Sequence, residues 1–208
     1  LSTGRSRTEC PRQPNLVLIG FMATGKSTIG RLCARSLGFR FRDSDTLIER
    51  RAGRPIPEIF AEEGESAFRA RESEALQDLA RGYHLVIATG GGAVMNAVNV
   101  ARLRRTGIVI LLHAAPEEIL MRVGNRQSRP LLADAPDPLA RIESLLLQRE
   151  PYYRAAAHAI VETTGLSRET AAARVLEAYH TEAERWRWPG RLPRKDREDG
   201  ETAGNAGS

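Results

Sequence analysis

Residues Gly20 to Thr28 read Gly-Phe-Met-Ala-Thr-Gly-Lys-Ser-Thr. The spacing Gly-x4-Gly-Lys-Ser suits a polyphosphate. Glycines let successive backbone N–H groups converge on phosphate oxygens, where side chains would obstruct them. A helix starting there points its positive end at the same anion. Lys26 would neutralise β- and γ-phosphate charge, and the Ser27 hydroxyl would ligate magnesium. Gly20, Ala23, Thr24, Gly25, Lys26, Ser27 and Thr28 are therefore the expected nucleotide-binding set. Of the 31 basic residues only Lys26 and Lys195 are lysine. A chain that otherwise uses arginine places a compact ammonium inside this loop. The same scarcity removes a GTPase reading, because no second lysine in the body can form a guanine-reading Asn-Lys-x-Asp.

Asp43-Ser44-Asp45 offers two carboxylates two residues apart, pointing differently. One can hold magnesium through water, and the other can accept a proton from an attacking hydroxyl. Ordinary helix capping also accounts for one of them. Thr89-Gly90-Gly91-Gly92 is a second glycine turn. Phe68-Arg69-Ala70-Arg71-Glu72 fits a solvated charged helix face as well as an anion site. Arg129-Pro130-Leu131-Leu132 lies in a loop, where an arginine closing on phosphates would lower transition-state charge.

The elements that must position these groups alternate. Apolar runs predict strands at 15–19, 39–42, 84–88, 107–112 and 159–161. Helical spacing predicts helices at 27–37, 45–52, 57–61, 66–81, 96–105, 116–123, 139–153 and 168–184. Gly38 and Gly53 fit helix stops, and Pro116 fits a helix start. Such alternation indicates an α/β fold with a mainly parallel sheet, with ligands at the carboxyl ends of its strands. Residues 124–138 show little periodicity and three prolines, which predicts a mobile lid. Residues 1–14 are expected to be a flexible leader and 185–208 a disordered polar tail, leaving 15–184 as the folded domain.

The chain has 208 residues, 41% of them hydrophobic, and a net charge of +5. No apolar run of membrane-spanning length occurs. The modest positive charge suits small anionic substrates without requiring nucleic acid. Cys10 and Cys33 give no disulfide framework, and Cys33 reads as a small buried hydrophobe. A cytoplasmic setting is expected. His84, His113, His158 and His180 lack metal spacing and read as structural. Trp186-Arg187-Trp188 reads as aromatic anchoring of a helix end.

Taken together, Gly20-Phe21-Met22 through Thr28, Asp43-x-Asp45, Ile59-Phe60 with Gly64-Glu65, Phe68-Arg69-x-x-Glu72, Thr89 to Ala93, Arg129 to Leu132 and Arg149-x-Pro151-x-Tyr153 resemble the shikimate kinase family, over about residues 15–180. The resemblance implies a P-loop NTPase three-layer α/β/α sandwich of nucleoside-monophosphate-kinase type, with a five-stranded parallel sheet and a mobile lid. It implies transfer of the γ-phosphoryl of ATP to the 3-hydroxyl of shikimate, with ATP and Mg2+ as cofactors. It also implies no nucleic-acid or membrane partner and a monomer.

The residue roles follow position by position. Asp43 and Ser27 would hold magnesium. Asp45 would bind the acceptor hydroxyls and serve as candidate base. Arg69 and Arg149 would grip the shikimate carboxylate, with Glu72 behind Arg69. Phe60 would wall the pocket, and Gly90, Gly91 and Gly92 would approach the substrate with bare backbone. Lys26 and Arg129 would stabilise phosphate charge, and Arg122 would stack on adenine. One departure stands inside the loop, where Ala23 replaces a commoner glycine. Ordinary dihedrals are expected there, since a positive φ would cost alanine on the order of 1 kcal/mol. The rivals are another small-molecule kinase of the same fold, such as a gluconate kinase, and a non-catalytic binding relative.

Overall fold

Strand β1 (Asn15–Ile19) is buried along its whole length, as a continuous apolar run in a parallel sheet demands. It pairs in parallel with β3 (Leu85–Ala88) and with β4 (Gly107–His113). Strand β2 (Arg40–Asp43) pairs with β3, and β5 (Ala159–Glu162) pairs with β4. The order is β2-β3-β1-β4-β5, all parallel. This computed structural model describes residues 13–124, 132 and 135–187. Arg129, most of the expected lid, Cys10, Trp188, Lys195, residues 1–12 and the expected tail from 188 lie outside the described residues.

Alternation along the strands builds two core layers. Leu16, Leu18, Ile108 and Ile110 face one side, where α1 (Lys26–Leu37) and a C-terminal helix pack. Val17, Ile19, Val109 and Leu111 face the other. There they meet Leu76 and Leu79 of α3 (Ile56–Ala80) and Leu103 of α4 (Ala97–Thr106). They also meet Tyr153 and Ala156 of α6 (Pro138–Ala156). Helix α2 (Ser44–Ala52) packs on α3 through Ile48, Ile59, Phe68 and Ala75. Helix α5 (Pro116–Val123) joins α6 through Ile119, Val123, Ile142 and Leu145. The C-terminal helix is α7 (Arg168–Arg185).

The punctuation follows the sequence closely. Gly38 and Gly53 end α1 and α2 in the left-handed region, at φ 66° and 70°. Helix α3 is one element where two were expected, but Gly64 breaks its dihedrals at φ 79° and ψ 173°. Cys33 is fully buried, and burial pushes its thiol up to about 12. Trp186 packs partly buried against the core layer formed by α1 and α7. Among the described residues, no helix is long and apolar enough to cross a membrane.

His158 has a structural task that its sequence context hides. Just before β5, its backbone N–H donates to Val109 O (2.7 Å), and its Nδ1 accepts from Val109 N (2.9 Å). The imidazole thus extends the β4–β5 ladder by one rung. Burial, aided by the Arg104 charge, pushes its pKa down and keeps Nδ1 an acceptor.

Candidate active site

The loop after β1 is held by its own geometry. Gly20 adopts φ 141°, and a Cβ there would lie 2.4 Å from Leu112 O. Gly25 sits at φ 91° before α1, a helix with no side-chain cap and no acidic residue in its first turn. Its leading N–H groups are therefore free of any internal capping side chain. Thr24 is buried, and its Oγ1 donates to Phe21 O (2.9 Å), stapling the loop. Lys26 Nζ donates to Gly20 O (2.8 Å) and Phe21 O (2.6 Å). The ammonium thus lies over the loop's rim. Ala23 corrects the expectation of ordinary dihedrals. It sits at φ 59°, because the loop's turn requires the left-handed region whether or not glycine supplies it.

Asp43 uses its two carboxylate oxygens separately. Its Oδ1 accepts from Asp45 N (3.0 Å) and Thr46 N (3.4 Å), capping α2. Its Oδ2 accepts from Ser27 Oγ (2.6 Å). Two hard oxygen donors therefore meet beside the phosphate loop. That fits magnesium, which keeps waters and substrate phosphates as its other ligands. Among the described residues, no group of three or more His, Cys, Asp or Glu could cage a metal alone.

Asp45 lies deeper, next to the glycine turn. Burial, and after it the Asp43 charge, pushes its carboxyl up to about 6, with Lys26 opposing. Ser44 is fully buried, and its Oγ accepts the Gly90 N–H (2.9 Å), tying α2 to the turn after β3. A Cβ on Gly90 would lie 2.7 Å from Asp45 Oδ1 and 2.8 Å from Glu72 Oε1. A Cβ on Gly92 would lie 2.5 Å from Arg69 Nη1. A side chain at either glycine would press on Asp45, Glu72 or Arg69, a constraint from within the protein that the sequence reading did not include. At Gly91 a Cβ would meet nothing closer than 3.6 Å.

Beside this turn opens a cavity of about 530 Å³. Asp45, Phe60, Arg69, Glu72, the three glycines and Arg149 all line it. Phe60 stacks on Phe68 at 4.5 Å, and the Arg69 guanidinium lies 5.3 Å over Phe68. Arg69 Nη1 donates to Glu72 Oε2 (2.9 Å), so this stretch is more than a solvated face. Glu72 is 2% exposed, and burial raises its pKa against the pull of Arg69. Its Oε1 has no hydrogen-bond partner among the described residues. Arg149 comes from α6 and lies 5.7 Å over the Phe21 ring. Two guanidinium groups and a carboxylate of raised basicity thus share one pocket beside the phosphate loop. Such a pocket suits an acceptor carrying both a carboxylate and a hydroxyl.

At the other side, Arg122 donates to Thr163 O (3.0 Å) and Thr163 Oγ1 (3.3 Å), and it pairs with Glu118. It is pinned at the carboxyl end of β5, away from the acceptor pocket.

The sequence profile described as shikimate kinase matches residues 22–180. A shikimate kinase of Symbiobacterium thermophilum is 45% identical over 173 residues, covering 82% of this chain and 99% of that protein. The chain belongs to the shikimate kinase family. Among solved structures, a shikimate kinase from Acinetobacter baumannii in complex with shikimate superposes with a TM-score of 0.78. It is 40% identical, covering 82% of this chain and 94% of that one. A gluconokinase from Sinorhizobium meliloti has a TM-score of 0.51 at 14% identity, which is a likeness of fold alone. Within the shikimate kinase frame, two residues with no expected role prove to be built into the site. Ser44 stands between the two aspartates and secures Gly90. Tyr153, seen in sequence only as the end of a motif, donates its hydroxyl to Gly91 O. A small hydroxyl between two acids was the available signal for the first; nothing local pointed to the second.

Proposed function

We propose that this chain transfers the γ-phosphoryl of ATP to the 3-hydroxyl of shikimate, giving shikimate 3-phosphate and ADP. One observation carries the reading. The Asp45 carboxylate lines the same cavity as Arg69 and Arg149, at the foot of the loop that carries Lys26.

In this reading Arg69 and Arg149 hold the shikimate carboxylate, and Phe60 with the glycine turn sets the ring. Asp45 accepts a hydrogen bond from the 3-hydroxyl and orients it toward the γ-phosphorus. A bond forms between that oxygen and phosphorus, the bond to the β–γ bridging oxygen breaks, and ADP leaves. The hydroxyl proton passes toward Asp45, whose raised basicity suits the task. The transition state is loose, so positioning and charge neutralisation matter more than a strong base. Lys26 swings from the loop carbonyls to the phosphates. Arg129 is assigned the second phosphate cation, and Arg122 the wall of the adenine site. Ser27 and Asp43 would hold magnesium beside the nucleotide, and the ion would supply further neutralisation. The monomeric state and the cytoplasmic setting belong to the same proposal.

The test is purified protein with MgATP, scoring ADP release with shikimate, quinate and gluconate in separate reactions. Shikimate-dependent release is expected. Release with gluconate but not with shikimate would refute the assignment.

A further inference from the structure

We infer that Tyr153 is a positioning residue that sets two substrate-binding groups at once, the Gly91 backbone and the Arg149 guanidinium. The inference rests on the placement of shikimate proposed above.

Tyr153 stands one helical turn after Arg149 on α6, so the two side chains share a face. Its ring is buried in the core layer with Val17, Ile19, Val109 and Leu111, at 3% exposure. Its hydroxyl donates to the carbonyl of Gly91, a residue that lines the cavity. A phenol has one hydrogen, and it is spent there. Burial raises the pKa of the phenol, and the charge of Arg149, on the same helix face, opposes that rise. That pKa is still pushed up to about 12, so the hydroxyl stays a donor across the working range.

Tyr153 thus links the core layer on the sheet to the glycine turn and to the helix face that carries Arg149. The glycine turn has no side chains of its own to brace it. Its outer residues, Gly90 and Gly92, are pressed by Asp45, Glu72 and Arg69. Gly91 in the middle has space around its Cα, and its carbonyl is fixed by Tyr153. Arg149, at the cavity wall, gains a fixed neighbour on its own helix. Neither contact touches the reacting atoms, so the effect belongs to acceptor binding rather than to the chemical step.

The test uses the full chain and steady-state kinetics. Tyr153→Phe removes one oxygen and keeps the ring. The shikimate KM is expected to rise about tenfold, with kcat and the ATP KM within about twofold. Arg149→Lys should raise the shikimate KM by itself. The double variant should be no worse than the poorer single by more than about twofold, because both remove one linked arrangement. An unchanged shikimate KM in Tyr153→Phe, beside a raised one in Arg149→Lys, sinks the inference alone. An unchanged shikimate KM in Arg149→Lys sinks the substrate placement, and the inference with it. A parallel rise of both KM values with a lowered melting temperature, or a Tyr153→Phe chain that does not fold, assigns the hydroxyl to stability and overturns the inference.

Discussion

Asp45 is held where a carboxylate is costly. Its pKa rises to about 6 from burial and from the neighbouring Asp43. Because the folded value exceeds the unfolded one, the native state binds the extra proton between about pH 4 and pH 6. Stability is therefore fully present below that window and falls as pH rises through it. Asp45→Asn removes the penalty and the proposed base together. Turnover should drop at least a hundredfold while ATP still binds. In metal-free buffer the variant should melt above the wild type at pH 7, with the gap closing toward pH 4. A variant of full activity, or a gap independent of pH, would count against the role. Ala23 is strained in the opposite sense, by backbone. At φ 59° an alanine pays about 1–2 kcal/mol, part of which glycine would return as unfolded-state entropy. Ala23→Gly should therefore stabilise by roughly 0.5 kcal/mol and raise the melting midpoint by about 1–2 °C. A lower midpoint would show that the loop prefers alanine.

At the scale of elements, the sequence announced the strands and helices because their period and their glycine stops are local signals. Gly38, Gly53 and the buried run of β1 are examples. The phosphate loop was legible for the same reason, since one short segment contains its whole chemistry. What local reading missed depends on contacts distant in sequence. Glycine at 92 was read only as bare backbone for a ligand, and the structure adds the crowding by Arg69, 23 residues earlier. Gly92→Ala should displace that guanidinium, raising the shikimate KM more than tenfold with the ATP KM unaltered. Equal changes in both would contradict a local effect. His158 was rightly taken as structural, but its partner Val109 lies 49 residues away. His158→Ala should leave the Val109 N–H unmet and cost about 1–3 kcal/mol by chemical denaturation. In the wild type the folded pKa of His158 is depressed. Its contribution is thus present above about pH 6.5 and is lost as pH falls through the folded value. The alanine variant should lack that acid sensitivity.

Across the whole molecule, the strand order divides the labour. The carboxyl ends of β2 and β3 carry the aspartates and the glycine turn, β1 at the centre carries the phosphate loop, and β4 and β5 lead to Arg122 and Thr163. The acceptor pocket and Arg122 therefore lie on opposite flanks of the phosphate loop, as expected at a topological switch point. Each ligand should bind without the other. Shikimate alone, at about 100 times its Kd, should stabilise the protein by roughly 2.7 kcal/mol. No shift with shikimate alone in a thermal melt would mean that the acceptor pocket forms only after nucleotide. The division also bears on inhibition. Loops of the phosphate-binding kind are common to many kinases, so a compound confined to the centre has little on which to discriminate. Selectivity must come from the flank built by Asp45, Arg69 and Arg149. A tether from that flank across the phosphate seat toward Arg122 would convert two modest affinities into one, through effective concentration rather than new contacts.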